Sequence, residues 1–204
     1  MKMTRFAVLP VLASAALALS ACGGDEEPSS PATSEAGPTS ASQEMPSSSA
    51  SEAAPVDAGE KTAPGTKLKV GERAVIPWDK GTAAITVTAV EPGDKAEMGQ
   101  KYGERAQGLT PYYIRFTVEN VDGQDHAHAS APNFNLAMAD GRGSGVVITG
   151  SLGTCKSESA PKDFTTAGAK FESCKLSAAQ DGAEVAGAEY SQDDYKDESL
   201  IWTK

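Results

Sequence analysis

The sequence predicts an all-β domain, and three observations carry that expectation. Tyr112, Ile114, Phe116 and Val118 alternate with Tyr113, Arg115, Thr117 and Glu119, a period of two over eight residues that stops at Asp122-Gly123. Similar short runs follow one another at intervals set by turn residues such as Glu91-Pro92-Gly93 and Asp140-Gly141. No window of a dozen residues holds the 3.6-residue period of an amphipathic helix. Eight runs read as strands: 73–77, 85–89, 112–119, 134–139, 145–149, 170–177, 184–190 and 200–202. Asp140-Gly141 joins the fourth and fifth as a tight hairpin. Seven to eight short strands in about 140 residues imply an antiparallel β-sandwich of the immunoglobulin-like kind. Trp78 and Trp202 are expected to cap the ends of its core. The stretch 91–110 reads as a long loop, with Tyr102 as an exposed anchor or the whole as an idle crossover.

That domain occupies only residues 65–204. Residues 1–21 carry Lys2 and Arg5 and no acid, followed by the uncharged run FAVLPVLASAALAL at 6–19. Spanning the roughly 30 Å of a bilayer takes about 20 apolar residues, so this run is too short. A positive start, a short apolar stretch and small residues after it describe a secretory signal peptide. Leu19-Ser20-Ala21-Cys22 then resembles the lipobox of bacterial lipoproteins, in which the cysteine thiol takes a diacylglyceryl group and becomes the first residue of the mature chain. Two acyl chains anchor stably where one binds only reversibly.

From 23 to 64 the chain holds nine Ser and six Pro, with Met45 and Val56 as the only apolar side chains larger than alanine. Such a segment cannot bury enough surface to offset its ordering entropy, so 22–64 is expected to be the lipidated Cys22 plus a disordered tether. Its eight acids against Lys61 should extend it by repulsion.

Three cysteines leave one odd in an exported chain. With Cys22 lipidated, Cys155 and Cys174 are expected to pair as a structural disulfide, since 19 positions of separation is no CxxC and neither has a histidine beside it.

The segments GERAVIP at 71–77, PYYIRFTVENVDG at 111–123, and Cys155-Lys156-Ser157-Glu158 leading through KDFTT at 162–166 to Cys174 together resemble a family of actinobacterial lipid-anchored lipoproteins. The domain of that family is similar to small secreted immunoglobulin-like antigens. The resemblance covers roughly 65–204. It implies a β-sandwich held on the extracellular face of the cell membrane, and it implies no reaction.

The search for chemistry narrows the function classes. The net charge of −10 argues against nucleic acid as a partner. No GxSxG, HExxH or P-loop pattern occurs. The glycine-rich stretch at 141–145 lacks the lysine and helix of a phosphate loop, and Asp193, Asp194, Asp197 and Glu198 lack the calcium-loop pattern. Only His126 and His128 are available for histidine chemistry. In an extended Asp125-His126-Ala127-His128 segment both rings would point to one side, and with Asp125 and a methionine such as Met138 they are the candidate copper or zinc ligands. No catalytic residue and no cofactor is expected. The first reading is a non-enzymatic, monomeric interaction module with a protein or cell-wall ligand, held to the membrane by its anchor. An envelope metal-binding lipoprotein is the alternative.

Overall fold

The alternation read from the sequence becomes two four-stranded sheets in the computed structural model, which describes residues 59–204. The signal peptide, Cys22 and the tether up to residue 58 lie outside the described residues. The strands are β1 (Lys67–Lys69), β2 (Arg73–Trp78), β3 (Gly81–Pro92), β4 (Leu109–Asn120), β5 (Asn135–Met138), β6 (Lys170–Gln180), β7 (Val185–Tyr190) and β8 (Leu200–Thr203). One sheet runs β2-β3-β4-β6 and the other β1-β8-β7-β5. The described chain is therefore all-β apart from 3₁₀ turns and a single short helix, α1 (Lys95–Tyr102).

Pairing is antiparallel throughout except that β1 runs parallel to β8, with Lys67 opposite Ile201 and Lys69 opposite Thr203. The chain then changes sheets within three residues. Gly71 takes φ 96°, the Glu72 carboxylate accepts the Lys69 N–H at 2.7 Å, and the indole of Trp202 donates to the Glu72 carbonyl at 2.9 Å. A positive φ at this bend suits glycine, which has no Cβ to clash.

Both sheets contribute to one apolar cluster. Ile85 and Val87 from β3 and Ile114, Phe116 and Val118 from β4 meet Leu136, Tyr190, Leu200 and Trp202. Phe134, wholly buried, sits at the centre, with ring centroids 4.7 Å from Phe116 and 5.8 Å from both Tyr190 and Trp202. Trp202 lies within this cluster rather than at its end, while Trp78 closes the end beside Phe164 and Phe171 and donates its indole N–H to the Ser130 carbonyl.

A second, smaller cluster lies on the opposite face of β4 and β6. Tyr113, Cys174, Leu176 and Ala178 point there and are covered by Met98 of α1 and by Leu152 and Cys155. This cover accounts for two departures from the sequence reading. The stretch 91–110 is no idle loop but carries α1, capped by Asp94, whose carboxylate accepts the N–H groups of Ala96 and Glu97. Its periodicity was invisible because Met98 is its only buried residue. The local signature was present in Asp94 followed three residues later by Glu97. Residues 145–149 form no strand either. Val146 and Ile148 do turn to one side, onto the second cluster, while Val147 stands 93% exposed, but the nearest ladder contact is a single bridge between Ala137 and Gly143. Alternation reports one-sided burial, which a docked loop achieves as well as a paired strand. Asp140-Gly141 accordingly makes its tight turn, with Gly141 at φ 76°, without a full second strand after it.

The aromatic centre generates a prediction. Phe134→Ala is expected to cost about 3–5 kcal/mol, the usual range for emptying a buried phenylalanine site, read as a lowered unfolding free energy in urea titration.

Candidate functional site

Histidine chemistry was the sharpest sequence signal, and the two histidines part company. His126 is completely buried whereas His128 is exposed. Residues 125–128 are a turn rather than extended chain: the Asp125 carboxylate accepts the Ala127 N–H at 3.0 Å and His128 adopts φ 63°. The side-to-side rule for alternating residues does not apply there, so the rings do not converge. Met138 packs against the main core. Among the described residues no three His, Cys, Asp or Glu side chains come together in a way that could hold a metal ion.

His126 instead joins two loops. Its Nδ1 lies 3.0 Å from Asp79 in the β2–β3 turn, and its Nε2 lies 3.0 Å from Asp122 just after β4. Both contacts are satisfied when the ring carries two N–H protons, or when one carboxyl is protonated. Asp79 is held at φ 52°, an uncommon conformation for a side chain with a Cβ. Trp78 covers the ring at a centroid distance of 5.2 Å. Asp122 also accepts the N–H groups of Thr82 at 2.7 Å and Gln124 at 2.9 Å. Burial works against its charged form. The two backbone N–H groups, followed by the His126 ring, outweigh that and hold the carboxyl below the usual range. A ring with no exposed surface and both nitrogens engaged acts as a fastener between loops.

The other sequence candidates are accounted for in the same way. Tyr102 is half-buried and donates its hydroxyl to the Thr149 carbonyl at 3.0 Å, which pins the 146–155 loop on α1. Asp193 and Asp194 open a 3₁₀ turn that delivers Tyr195 to the core. Burial, then the charge of Asp194, raises the Tyr195 hydroxyl above its usual range, and it donates to the Thr62 carbonyl at 2.8 Å. Thr62 in turn exchanges bonds with Val75 of β2, its N–H to the Val75 carbonyl at 2.8 Å and its hydroxyl accepting the Val75 N–H at 2.9 Å. Thr62, three residues before the expected boundary at 65, is thus paired with β2.

Cys155 and Cys174 are bonded to each other. The bond ties the segment after Leu152 to β6. The Cys174 N–H donates to the Lys156 carbonyl at 3.1 Å, and the Ser173 hydroxyl accepts the Glu158 N–H at 2.9 Å while donating to the Glu158 carbonyl at 3.1 Å. Residues 155–158 therefore form a strap along the free edge of β6 and cover backbone groups that an edge strand would otherwise expose.

Beside this strap, on the outer face of the β2-β3-β4-β6 sheet, lies a solvent-open hollow of about 370 Å³. Arg115 is oriented in it by three neighbours. Its Nε donates to Glu91 at 2.7 Å, its Nη2 donates to the Thr154 hydroxyl at 2.9 Å, and its guanidinium lies 5.7 Å from the Tyr113 ring centroid. Thr88 reaches the hollow from a β-bulge where the β3 register slips between Val87 and Ala89. Lys156, Glu158 and Glu172 complete its charged lining, and their side chains make no ion pair among the described residues. Lys156 and Glu158 stand in the sequence only within the stretch that follows Cys155. Arg115 registered only as a polar position in an alternating strand, and nothing in the spacing of 88, 115, 156 and 172 brings them together.

No protein-family model, no curated protein and no solved structure matches the chain.

Two predictions follow from these contacts. A carboxyl depressed in the fold stabilises fully above its unfolded pKa, near 3.9, and that contribution is lost as pH falls through the lower folded value. The unfolding free energy should therefore fall on acidification below about pH 5, and Asp122→Asn should flatten that fall in pH-dependent denaturation. Replacing both Cys155 and Cys174 by serine opens a 20-residue loop in the unfolded chain and should cost roughly 3 kcal/mol, seen as a lower melting temperature with the β-sheet circular dichroism retained.

Proposed function

We propose that this protein is a lipid-anchored lipoprotein of the extracellular membrane face that displays an immunoglobulin-like β-sandwich as a non-enzymatic binding module. The observation that carries the reading is the pairing of Cys155 with Cys174. Of three cysteines, that bond uses two and leaves Cys22, in Leu19-Ser20-Ala21-Cys22, as the remaining thiol. A disulfide within a small domain fits an oxidising compartment, which an exported chain reaches. The lipobox-like sequence at that same thiol supplies the means of retention.

The two sheets sharing a single aromatic core support the sandwich. The immunoglobulin-like reading rests on the layout of two four-stranded sheets and not on the cysteines. Cys174 lies on the outward side of β6 with the second cluster, so its bond does not cross between the sheets. Among the described residues no helix is long and apolar enough to cross a membrane, so on this reading the lipid alone holds the domain. The fastening of Thr62 to β2 and Tyr195 supports a tether that enters the domain at a fixed point. The ligand class is a protein or a cell-wall component.

Cys22→Ala is the direct test. The unaltered protein should stay with membranes through a high-salt wash and move to the detergent phase, and the variant should appear in the soluble fraction with an uncleaved leader. A variant still in the detergent phase, or unaltered protein that salt releases, would overturn the anchor.

A further inference from the structure

We infer that the hollow beside the Cys155–Cys174 strap is a binding site for a short zwitterionic peptide, whose carboxylate meets Arg115 and Lys156 and whose ammonium meets Glu158 and Glu172. This deepens the reading of the domain as a displayed binding module and rests on it.

Three features converge on the hollow. The first is the preparation of Arg115. Glu91 and Thr154 hold two of the guanidinium nitrogens and the Tyr113 ring lies beneath, while Nη1 has no acceptor among the described residues. A fork held on one side and unengaged at its other tip is ready to bind a carboxylate with little further loss of rotamer freedom. The second is the bulge in β3, which adds one residue opposite Arg115 and places Thr88 at the same hollow. The third is the disulfide. Thr154 and Lys156 flank Cys155, so the bond to β6 fixes both the group that orients Arg115 and the second cation.

The charges select the ligand class. Two cations and two carboxylates line the hollow, and Lys156, Glu158 and Glu172 lie beyond ion-pair distance of one another. An occupant with charge of one sign only would leave one pair facing it unfavourably. An occupant with an ammonium at one end and a carboxylate at the other complements both. Register sets the two charges apart on one face: Arg115 lies directly opposite Cys174, and Glu172 lies two residues further along β6 on the same face. A dipeptide, with its ammonium and carboxylate on separate residues, is the shortest peptide that can offer one charge to each pair.

The test is isothermal titration of the full chain, purified in detergent, with alanyl-alanine. It is run beside free alanine, the N-acetylated dipeptide and the dipeptide amide. Saturable binding is expected for the dipeptide, at least tenfold weaker for each of the other three, and at least tenfold weaker for the dipeptide on Arg115→Gln. Running the dipeptide in its L,L and D,D forms distinguishes a protein-derived from a cell-wall-derived source. Should Arg115→Gln melt several degrees early, Lys156→Ala with Thr88→Val, at exposed positions away from the clusters, replaces it with the same expected loss. No saturable binding of either dipeptide overturns the site, as does equal binding of the blocked forms or undiminished binding by the folded variants. None of those failures touches the anchor, which is read by the location of Cys22→Ala.

Discussion

Strand β4 buries one face along its length and Tyr113 on the other, and much of the molecule is arranged to let it. Ile114, Phe116 and Val118 on one side join residues of the other sheet in the main apolar cluster. Tyr113 on the other side is 93% buried even though no second sheet lies there. An aromatic ring removed from water contributes a few kcal/mol, and withholding it from solvent takes a dedicated cover. That cover is α1, through Met98, together with the segment that brings Leu152 and Cys155 across β6. Gly93 and Gly153 let the backbone close around the ring. A Cβ at Gly93 would stand 2.5 Å from a ring carbon, and Gly153 sits at φ 53° beside the Tyr113 hydroxyl.

The cover cannot extend along the whole sheet. Past Tyr113 the outward positions of β4 turn polar, Arg115 and then Thr117 and Glu119, and the strap that closes the second cluster stops beside them. A step is left where covered sheet meets bare sheet, and the step is the hollow. The disulfide therefore has two consequences. It staples the cover over Tyr113 and Leu176, and it places Thr154 and Lys156 at the rim. The same strap occupies the edge of β6, which removes strand addition as a mode of docking at that edge and leaves the side chains of the outer face as the surface offered.

At the opposite side of the sheet the entry of the chain is fixed by comparable means. Thr62 pairs with the edge of β2, Tyr195 reaches it from the turn before β8, and β1 adds itself beside β8. His126, locked between Asp79 and Asp122, fastens the β2–β3 turn to the loop after β4. Polar fasteners of this kind lose their worth if any one partner goes unpaired, because the remaining buried charge has nothing to replace it.

How much of this was legible follows from which interactions are local. Seven of the eight strand runs emerge where alternation placed them, because a half-buried strand imposes its period on its own sequence. The disulfide was legible by counting cysteines. The run 145–149 misled because its alternation came from docking rather than pairing, and α1 was missed because a helix that buries only Met98 writes no stripe. His126 and His128 look alike in sequence, yet one is core and the other surface, since Asp79 and the covering Trp78 approach His126 from a segment that only folding brings to it. By itself, then, the sequence determined the all-β class, the cysteine pairing, and the expectations of a leader, an anchor and a tether, all of which depend on composition and short-range order. Only the tertiary structure decided the cover over Tyr113, the burial of His126 and the gathering of Thr88, Arg115, Lys156 and Glu172 around one hollow. Those depend on strand register and a crossing strap, which for the hollow juxtapose residues from 16 to 84 positions apart that carry no mark of one another along the chain.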